Sequence, residues 1–453
     1  MRVLIAFIII LFVISGGAAQ TKLLSAGFNP ASYPGKMPPE ENKKLQPLVK
    51  ELLTAMRSHD DKGIARIKAE LITGMGKYVG ISENPPNYSK PDPTTPDLSK
   101  VETLWLKSFA RMKDRNGWKE AQIAYKTNQT QPRLRVSYRN SHAYFQSYEA
   151  NLKDAVIFLN SAIEGTNYMM SEQTSSGAFG YPYDVNAKEG LKFQALKLVE
   201  EGEKRGLKMT EGKWIIEDLE EGGLQFDNGE VGIGLLHAYV LTGDKRYLES
   251  ARKAGDWAIK RPIVQNFNYN GYSGNLLARL YRVTGEKKYL DAAKEKFIYG
   301  VMPGQMENGR WFDQHNASIQ YHALMMRQLI EFYLALQKAK DPLDEKVKKS
   351  ILVGLDNVAE EDLTYGTSIG KAQEMLNIEA YAFGLMLFGN HENWERAANV
   401  NVNFLTGEYL TELEKHNAPM TETVASFLLY RRFKEGKGRS CEIELEKCLK
   451  QTK

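Results

Sequence analysis

The feature that most constrains the fold is a repeated pair of helices joined by a very tight turn. Residues 241–248 (LTGDKRYL) are echoed by residues 283–290 (VTGEKKYL), and 42 residues separate the turn glycines Gly243 and Gly285. A looser copy, LFGN, occupies residues 387–390. Glycine just after a helix favours the left-handed terminating conformation, and an acidic residue beside it favours the start of the next helix. Because a hairpin of this length cannot bury its faces alone, the repeats are expected to pack on one another.

Helical spacing of apolar residues continues from residue 142 almost to the end of the chain. The spacing predicts helices at 142–164, 188–206, 229–242, 244–260, 271–284, 286–299, 316–338, 344–360, 371–388, 391–403 and 420–433. The 372–388 stretch is apolar nearly all round, whereas 244–260 carries one apolar stripe opposite charged side chains. The first helix of each pair is therefore expected in an inner ring and the second in an outer ring. The predicted fold is an all-α (α/α) toroid of about five to six helical hairpins.

The amino terminus has the pattern of a secretory signal. Arg2 precedes an unbroken apolar run at residues 3–14, and small residues lead to Ala19. Cleavage after Ala19 would place the mature protein outside the cytoplasm, secreted or periplasmic. An uncleaved anchor is the alternative. No later segment is apolar over the roughly 20 residues that a membrane span needs, so no span is predicted.

These patterns divide the chain into four segments. The stretch before the ring combines helical spacing at 40–78 with five of the sixteen prolines between residues 82 and 98. Alternation at 132–138 (PRLRVSY) favours a short strand. The expected organisation is a signal peptide at 1–19, a helical extension with a proline-rich linker at 20–98, the toroid domain at 99–435 and a tail at 436–453.

Composition and cysteine content exclude several classes of function. The formal net charge is only +4, without a long basic run, so nucleic acid is not an expected partner. HExxH is absent from the sequence, and no Gly-rich phosphate loop follows a predicted strand. With two cysteines, a Cys-rich zinc site is excluded, and no metal or cofactor is expected. Cys441 and Cys448 are predicted to form a disulfide if the tail bends, and free thiols remain the alternative. A monomer is expected.

The connections between helices indicate which face of the ring carries function. Turns from inner to outer helices are short and plain, whereas the return connections are long and rich in aromatic and amide side chains. These connections are 224–228, 265–270, 310–316, 364–368 and 416–419. All must emerge on one face of the ring, and long loops on a rigid frame commonly carry function. Aromatic rings with Asn, Gln and Asp suit a carbohydrate ligand. The alternative explanation for these side chains is that long loops are polar in any protein.

The hairpins with TGD-x-x-YL-x-x-A turns, the signal peptide and the aromatic-acidic loops together resemble a group of α/α-toroid carbohydrate-active proteins. The group contains six-hairpin glycosidases and toroid polysaccharide lyases. The segment Asp227-Asn228-Gly229, leading into the hairpin with Gly243, is also similar to a stretch of a toroid pectate lyase family. The resemblance implies cleavage of a glycosidic bond by acid and base groups at the rim of the inner ring.

Candidate catalytic residues come from the loop face. Asp227 and Asp313 are the predicted acid-base pair of a glycoside hydrolase, and His315 is a third catalytic candidate. Asp227 with Glu230 would alternatively form a helix-capping box, and Asp313 would be a solvated loop carboxylate. The predicted substrate-binding residues are Tyr181, Asn228, Glu230, Asn268, Tyr272, Arg310, Trp311 and Glu374.

Two other functions remain open from the sequence. In a lyase acting on a uronic-acid glycan, Tyr272 or His315 would abstract the proton beside the carboxylate, and Asn228 or Arg310 would neutralise that carboxylate. A non-catalytic glycan-binding toroid would keep the aromatic residues without needing convergent acids. In each case the expected partner is a poly- or oligosaccharide.

Overall fold

The structure is a computed structural model. It describes residues 35, 37–81, 87–114, 134–179, 181–182, 204, 213–214, 223–313, 317–368, 375–415 and 420–451. Apart from two single-turn 3-10 helices, Gly76–Tyr78 and Met302–Gly304, and one two-stranded sheet, the regular elements are α-helices. They are α1 Pro39–Arg57, α2 Asp61–Met75, α3 Leu98–Asp114, α4 Leu134–Glu149, α5 Ala155–Ser171, α6 Gly223–Thr242, α7 Lys245–Ile259, α8 Phe267–Thr284, α9 Lys287–Gly300, α10 Ile319–Ala339, α11 Leu343–Tyr365, α12 Leu376–Phe388, α13 Glu392–Thr406, α14 Leu410–Lys415, α15 Thr423–Lys434 and α16 Leu445–Gln451. None of the described helices combines the length and apolarity needed to cross a membrane.

Two concentric rings of helices form the body of the protein. The inner helices α4, α6, α8, α10, α12 and α15 each pack against the next, and α15 returns to pack against α4. The outer helices α3, α5, α7, α9, α11 and α13 lie outside them. The inner helices are apolar on several faces because they are covered on both sides: every residue of α12 from Ala380 to Leu385 is buried. The predicted (α/α) toroid is confirmed.

The tight turns adopt the conformations that their sequences predict. Gly243 and Gly285 follow α6 and α8 with φ of 72° and 76°. Asp244 caps α7 by accepting a hydrogen bond from the backbone nitrogen of Arg246 at 2.9 Å. Because each tight turn joins the end of an inner helix to the start of an outer one, all inner helices begin at the same end of the ring. The return connections from the outer helices arrive at that end.

The first inner helix differs from the prediction. Residues 134–138, expected in a strand, begin helix α4, and its buried positions Leu134, Tyr138 and His142 recur at the four-residue spacing of a helix. The predicted single helix at 142–164 is two helices, because the chain reverses where Asn151 and Asp154 adopt positive φ. The helix predicted at 188–206 lies outside the described residues, apart from Lys204.

Two inner helices begin earlier than predicted. Helix α6 starts at Gly223 rather than residue 229, so Asp227 and Asn228 are helical. Helix α8 starts at Phe267 because the side chain of Asn266 accepts a hydrogen bond from the Asn268 nitrogen at 3.1 Å. The connection predicted at 224–228 is therefore wholly helical, and the one predicted at 265–270 is helical from Phe267 onward.

The helical extension before the ring is an antiparallel hairpin, α1 and α2, that packs beside the return connections. Asp60 caps α2 through a hydrogen bond from the Gly63 nitrogen at 2.9 Å. Arg57 donates to the carbonyl of Ile263 at 2.8 Å, and Lys68 donates to the carbonyl of Gln305. The hairpin is therefore tied to the loop end of the ring.

The carboxyl-terminal tail closes the opposite end. The Cys441 nitrogen donates to Glu149 Oε1 at 2.6 Å, at the end of α4. Cys441 and Cys448 are joined by a disulfide with a Cα–Cα distance of 5.7 Å. Cys441 precedes α16 and Cys448 lies within it, so the two residues do not share one straight helix. Both pack against Val240 near the end of α6.

Candidate active site

A cavity lies on the ring axis near the loop end, enclosed by the first turns of the inner helices. Its empty space, counted with the open solvent at its mouth, is about 510 Å³. We call it the axial cavity. Its lining residues are Tyr138, Arg139, His142, Glu230, Ile233, Tyr272, Asn275, Leu324, Arg327, Gln328, Leu376, Glu379, Glu422 and Thr423. All six inner helices contribute to it, and Glu422 directly precedes the last of them.

Glu230 and Tyr272 stand on neighbouring helices in the cavity wall. Glu230 lies two turns into α6 and is fully buried. Tyr272 is also buried and packs on the ring of Phe226, with ring centroids 4.1 Å apart. Burial, with the negative charge of Glu230 as a smaller contribution, raises the pKa of Tyr272 well above its ordinary value. Tyr272 is therefore a neutral hydroxyl at physiological pH, able to donate or accept a hydrogen bond.

A second group of charges surrounds Glu379 on α12. Glu379 Oε1 lies 3.0 Å from Nε of Arg327 and 3.2 Å from Nε2 of His142. Burial disfavours the carboxylate, but the hydrogen bond with His142 and the charge of Arg327 outweigh burial and lower the pKa of Glu379. Arg327 also lies over the ring of Phe383, 3.7 Å from its centroid. Glu379 is thus held ionised in a fixed orientation.

Arg139 on α4 bridges two further carboxylates. Its Nε lies 3.6 Å from Glu230 Oε1 and 3.9 Å from Glu422 Oε1. Those two oxygens are therefore at most about 7.5 Å apart. This limit allows the spacing of about 5–5.5 Å found in retaining glycosidases and the shorter part of the roughly 6.5–9.5 Å range found in inverting ones.

The order of helices around the ring places Glu230 and Glu379 on opposite sides of the cavity. Around the ring of inner helices, two helices separate α6 from α12 on either side, so α6 and α12 face each other across the axis. A ligand on the axis would therefore have one carboxylate on either flank. This is the arrangement that general acid-base chemistry on a single bond requires.

Of the predicted site residues that the structure describes, Glu230 and Tyr272 are the two that line the axial cavity. Asn228 is fully buried and uses its amide inside the fold: Oδ1 accepts from the Phe179 nitrogen, and Nδ2 donates to the Ala254 carbonyl, each at 3.2 Å. Trp311 is buried, with Nε1 donating to the Val301 carbonyl at 3.0 Å. Both are core residues whose polar side-chain atoms bond within the fold.

Other predicted residues lie away from the axial cavity. Arg310 is buried and forms an ion pair with Glu361, Nη1 to Oε2 at 2.7 Å. Asn268 is buried in the first turn of α8, and Asp227 is buried in α6 outside the cavity lining. Tyr181 lies in the short strand β1 Tyr181–Pro182, which pairs antiparallel with β2 Lys213–Trp214.

Asp313 lines a different space, a groove between the amino-terminal hairpin and the loop end of the ring. Met37, Leu52 and Met56 line the groove with Phe312, and its empty volume including open solvent is about 880 Å³. Asp227 and Asp313 therefore do not line a common cavity among the described residues. His315 and Glu374 lie outside the described residues.

Most of the cavity residues were not predicted from the sequence, although a signal for them exists. Arg327 and Glu379 interrupt helices that are otherwise apolar on several faces. A charged side chain at such a position must face either a partner or a cavity on the ring axis. The missed residues are Tyr138, Arg139, His142, Asn275, Arg327, Gln328, Glu379 and Glu422.

One family model matches part of the chain. Residues 226–305 match the model described as the beta-L-arabinofuranosidase, GH127 catalytic domain. The matched stretch contains α7, α8, α9 and most of α6, with Glu230 and Tyr272. No curated protein matches the sequence. The expected resemblance to carbohydrate-active proteins is confirmed at this level.

Several solved structures are similar to this chain in fold. A glycosyl hydrolase family 88 protein from Bacteroides vulgatus is 12% identical, with a TM-score of 0.46, covering 74% of this chain and 98% of its own. A polysaccharide lyase is 13% identical, with a TM-score of 0.46, covering 74% of this chain and 99% of its own. Cellobiose 2-epimerase from Spirochaeta thermophila is 11% identical, with a TM-score of 0.40, covering 85% of this chain and 98% of its own. Likeness of fold does not assign a reaction, which must come from the site.

Proposed function

We propose that this protein is a secreted glycoside hydrolase that cleaves a poly- or oligosaccharide in the axial cavity, with Glu230 and Glu379 as its acid and base. The observation that carries the proposal is the placement of these two carboxylates on opposite inner helices of one cavity. The local match to a glycosidase catalytic domain supports it.

The chemistry needs two carboxyl groups in different roles. One protonates the oxygen of the leaving group, while the other either attacks the sugar or activates a water molecule. Asn275 and Gln328 in the same wall offer amides for sugar hydroxyls, and their side chains are linked by a 2.7 Å hydrogen bond from Asn275 Nδ2. Arg139 and Arg327 hold the carboxylates in place.

The proposal replaces the predicted Asp227–Asp313 pair. Those two residues share no described cavity, whereas Glu230, three residues beyond Asp227 on the same helix, lines the axial cavity. The reaction type is kept, and the residues that perform it change.

A lyase has less support from the described residues. Tyr272 would have to act as a phenolate base, but burial raises its pKa well above its ordinary value. Arg310, expected to neutralise a uronate, is instead engaged by Glu361 outside the axial cavity. A hydrolase uses the carboxylates that the cavity contains.

The experiment is a screen of the secreted full chain against a panel of polysaccharides and aryl glycosides. An aryl β-L-arabinofuranoside belongs in the panel because of the family match. New reducing ends without ultraviolet absorbance of unsaturated products would support a hydrolase. Unsaturated products would show a lyase instead. Glycan binding without any product would favour the non-catalytic toroid.

A further inference from the structure

Beneath the axial cavity, the ring axis holds a buried cluster of ionisable side chains that extends to the tail. We call it the axial cluster. Its members are His142, Glu149, His237, Arg279, Arg282, Arg327, Glu331, Glu379 and Glu442. Glu442 comes from the tail, and the other members come from five inner helices. The cluster contains four carboxylates and three guanidinium groups, so the arginines leave one carboxylate charge unbalanced.

The carboxylate of Glu442 uses its two oxygens differently. Oε2 accepts hydrogen bonds from both Arg279 and Arg327. Oε1 has no hydrogen-bond partner among the described residues, although the side chain is only 3% exposed. Oε1 instead faces two imidazoles, lying 3.4 Å from His142 Nε2 and 3.6 Å from His237 Nδ1. His142 Nε2 also lies 2.8 Å from Gln146 Nε2 and 3.2 Å from Glu379 Oε1, and a metal ion on this nitrogen would replace those two contacts. The arginines leave the Oε1 side of the Glu442 carboxylate without a hydrogen bond.

The neighbours of His237 determine what its Nδ1 can do. Its Nε2 lies 3.2 Å from Glu149 Oε2, where a ring N–H is the natural donor. In the neutral ring, Nδ1 then carries a lone pair that points toward Glu442 Oε1. Nδ1 likewise has no hydrogen-bond partner among the described residues. Two buried acceptors that face each other need either a proton or a metal cation between them.

We propose that His142, His237 and Glu442 bind a divalent transition-metal ion of the zinc class at the floor of the axial cavity. The three ligand atoms lie within 4.8 Å of one another. Two ligands of a tetrahedral zinc ion, each about 2.1 Å from the metal, are about 3.4 Å apart, close to the two distances from Glu442 Oε1. The carboxylate of Glu149 on the far side of His237 is the type of partner that orients metal-binding imidazoles.

The sequence predicts no metal site, so this proposal departs from that prediction. Its ligands lie on α4, on α6 and in the tail, with 95 residues between the two histidines and 205 between His237 and Glu442. No short motif marks such a set. Because His142 also lines the axial cavity, a fourth coordination position would be nearest the cavity floor.

The experiment measures metal binding and needs no substrate. The full chain is stripped with a chelator and titrated with Zn²⁺ alone by calorimetry, and retained zinc is measured by mass spectrometry. We expect one zinc per chain, and at least a 100-fold loss of affinity in His237→Gln. The matched control is His59→Gln, which disrupts an exposed histidine–glutamate pair with an Nε2–Oε1 distance of 2.8 Å and should leave the affinity unchanged.

Two results would overturn the proposal. The first is a wild-type chain that takes up no zinc, which would mean that a proton on His142 or His237 supplies the missing charge. The second is equal zinc binding by His237→Gln and the wild type. Should His237→Gln fail to fold, Co²⁺ added to the wild-type chain decides instead. Four-coordinate Co²⁺ absorbs visible light strongly, so strong absorption supports the site. A weak spectrum of six-coordinate Co²⁺, or no spectrum of bound Co²⁺, rejects it.

Discussion

Arg327 donates from Nε to Glu379 Oε1 at 3.0 Å, joining the neighbouring inner helices α10 and α12 in the wall of the axial cavity. The same guanidinium donates through Nη2 to Glu442 of the tail. One side chain therefore links the cavity at the loop end to the segment that closes the other end. Removal of the Glu442 carboxylate should consequently alter the orientation of Glu379.

Glu230→Gln and Glu379→Gln are each expected to lower turnover by about 100-fold or more. Either change removes a positioned proton donor or base while keeping the size of the side chain. The measurement is turnover on whichever substrate the screen identifies, with substrate binding by calorimetry. Glu446→Gln, at an exposed position of the tail, is the control and should retain activity. Full activity in both cavity variants, together with loss in Asp227→Asn, would restore the pair predicted from the sequence.

Stability is expected to fall between about pH 4 and pH 7 because of Asp362 on α11. Burial raises the pKa of Asp362 to about 7, although hydrogen bonds from Tyr381, Asn377 and Asn401 act in the opposite direction. In this window the folded chain holds a proton that the unfolded chain has released, so rising pH favours unfolding. Asp362→Asn mimics the protonated form and should remove this part of the pH dependence. Urea midpoints across the window test the prediction, and identical slopes for both proteins would contradict it.

Replacing Gly366 by Ala should destabilise the protein much more than replacing Gly389. Both glycines end helices in conformations that only glycine readily adopts, with φ of 94° and 84°. A Cβ at Gly366 would lie 1.9 Å from the carbonyl oxygen of Ser89, whereas a Cβ at Gly389 would meet nothing within 4 Å. We expect about 1–3 kcal/mol for Gly389→Ala, the backbone cost alone. Chemical denaturation measures both, and equal losses would show that the linker at Ser89 moves aside freely.

Removing the disulfide by the double change Cys441→Ser and Cys448→Ser should lower stability by about 2 kcal/mol. The bond closes a short loop, so its effect on the entropy of the unfolded chain is modest. Mass spectrometry of the wild type without reductant should show two hydrogens fewer than the reduced chain. Thermal unfolding of the double variant gives the energetic effect. Two freely reactive thiols in the wild type would contradict the bonded tail.

The ring could be predicted from the sequence because its evidence is local. Each glycine turn, at Gly243 and at Gly285, is recognised from the residues next to it in sequence. The period of 42 residues between the two turns then indicates a repeat. The start of α6 at Gly223 could not be predicted in the same way. Residues 224–228 contain the amide, acidic and aromatic groups of a typical loop, and their burial between neighbouring helices makes them helical.

The sequence places the predicted site at the loop end of the ring, where the axial cavity lies, but most of the predicted residues do not line this cavity. Among the residues of the aromatic loops, Trp311 fills the core and Arg310 pairs with Glu361. Glu379 and Arg327 belong together only because α10 and α12 are neighbours around the axis, 52 residues apart in sequence. Periodicity reveals that a helix is buried, but it does not reveal which of its residues face the axis.

The tail has a consequence for the order in which the protein is completed. Residues 439–448 follow every ring helix in sequence, so a chain that lacks them still contains every ring helix. Without Glu442, Arg279 and Arg327 lose a carboxylate that both of them bind. Buried guanidinium groups without that partner are unfavourable, so we expect water to enter the axis of such a chain. A chain interrupted before residue 440 would hold a nearly complete ring with a wet interior, a species that proteases should recognise as unfinished.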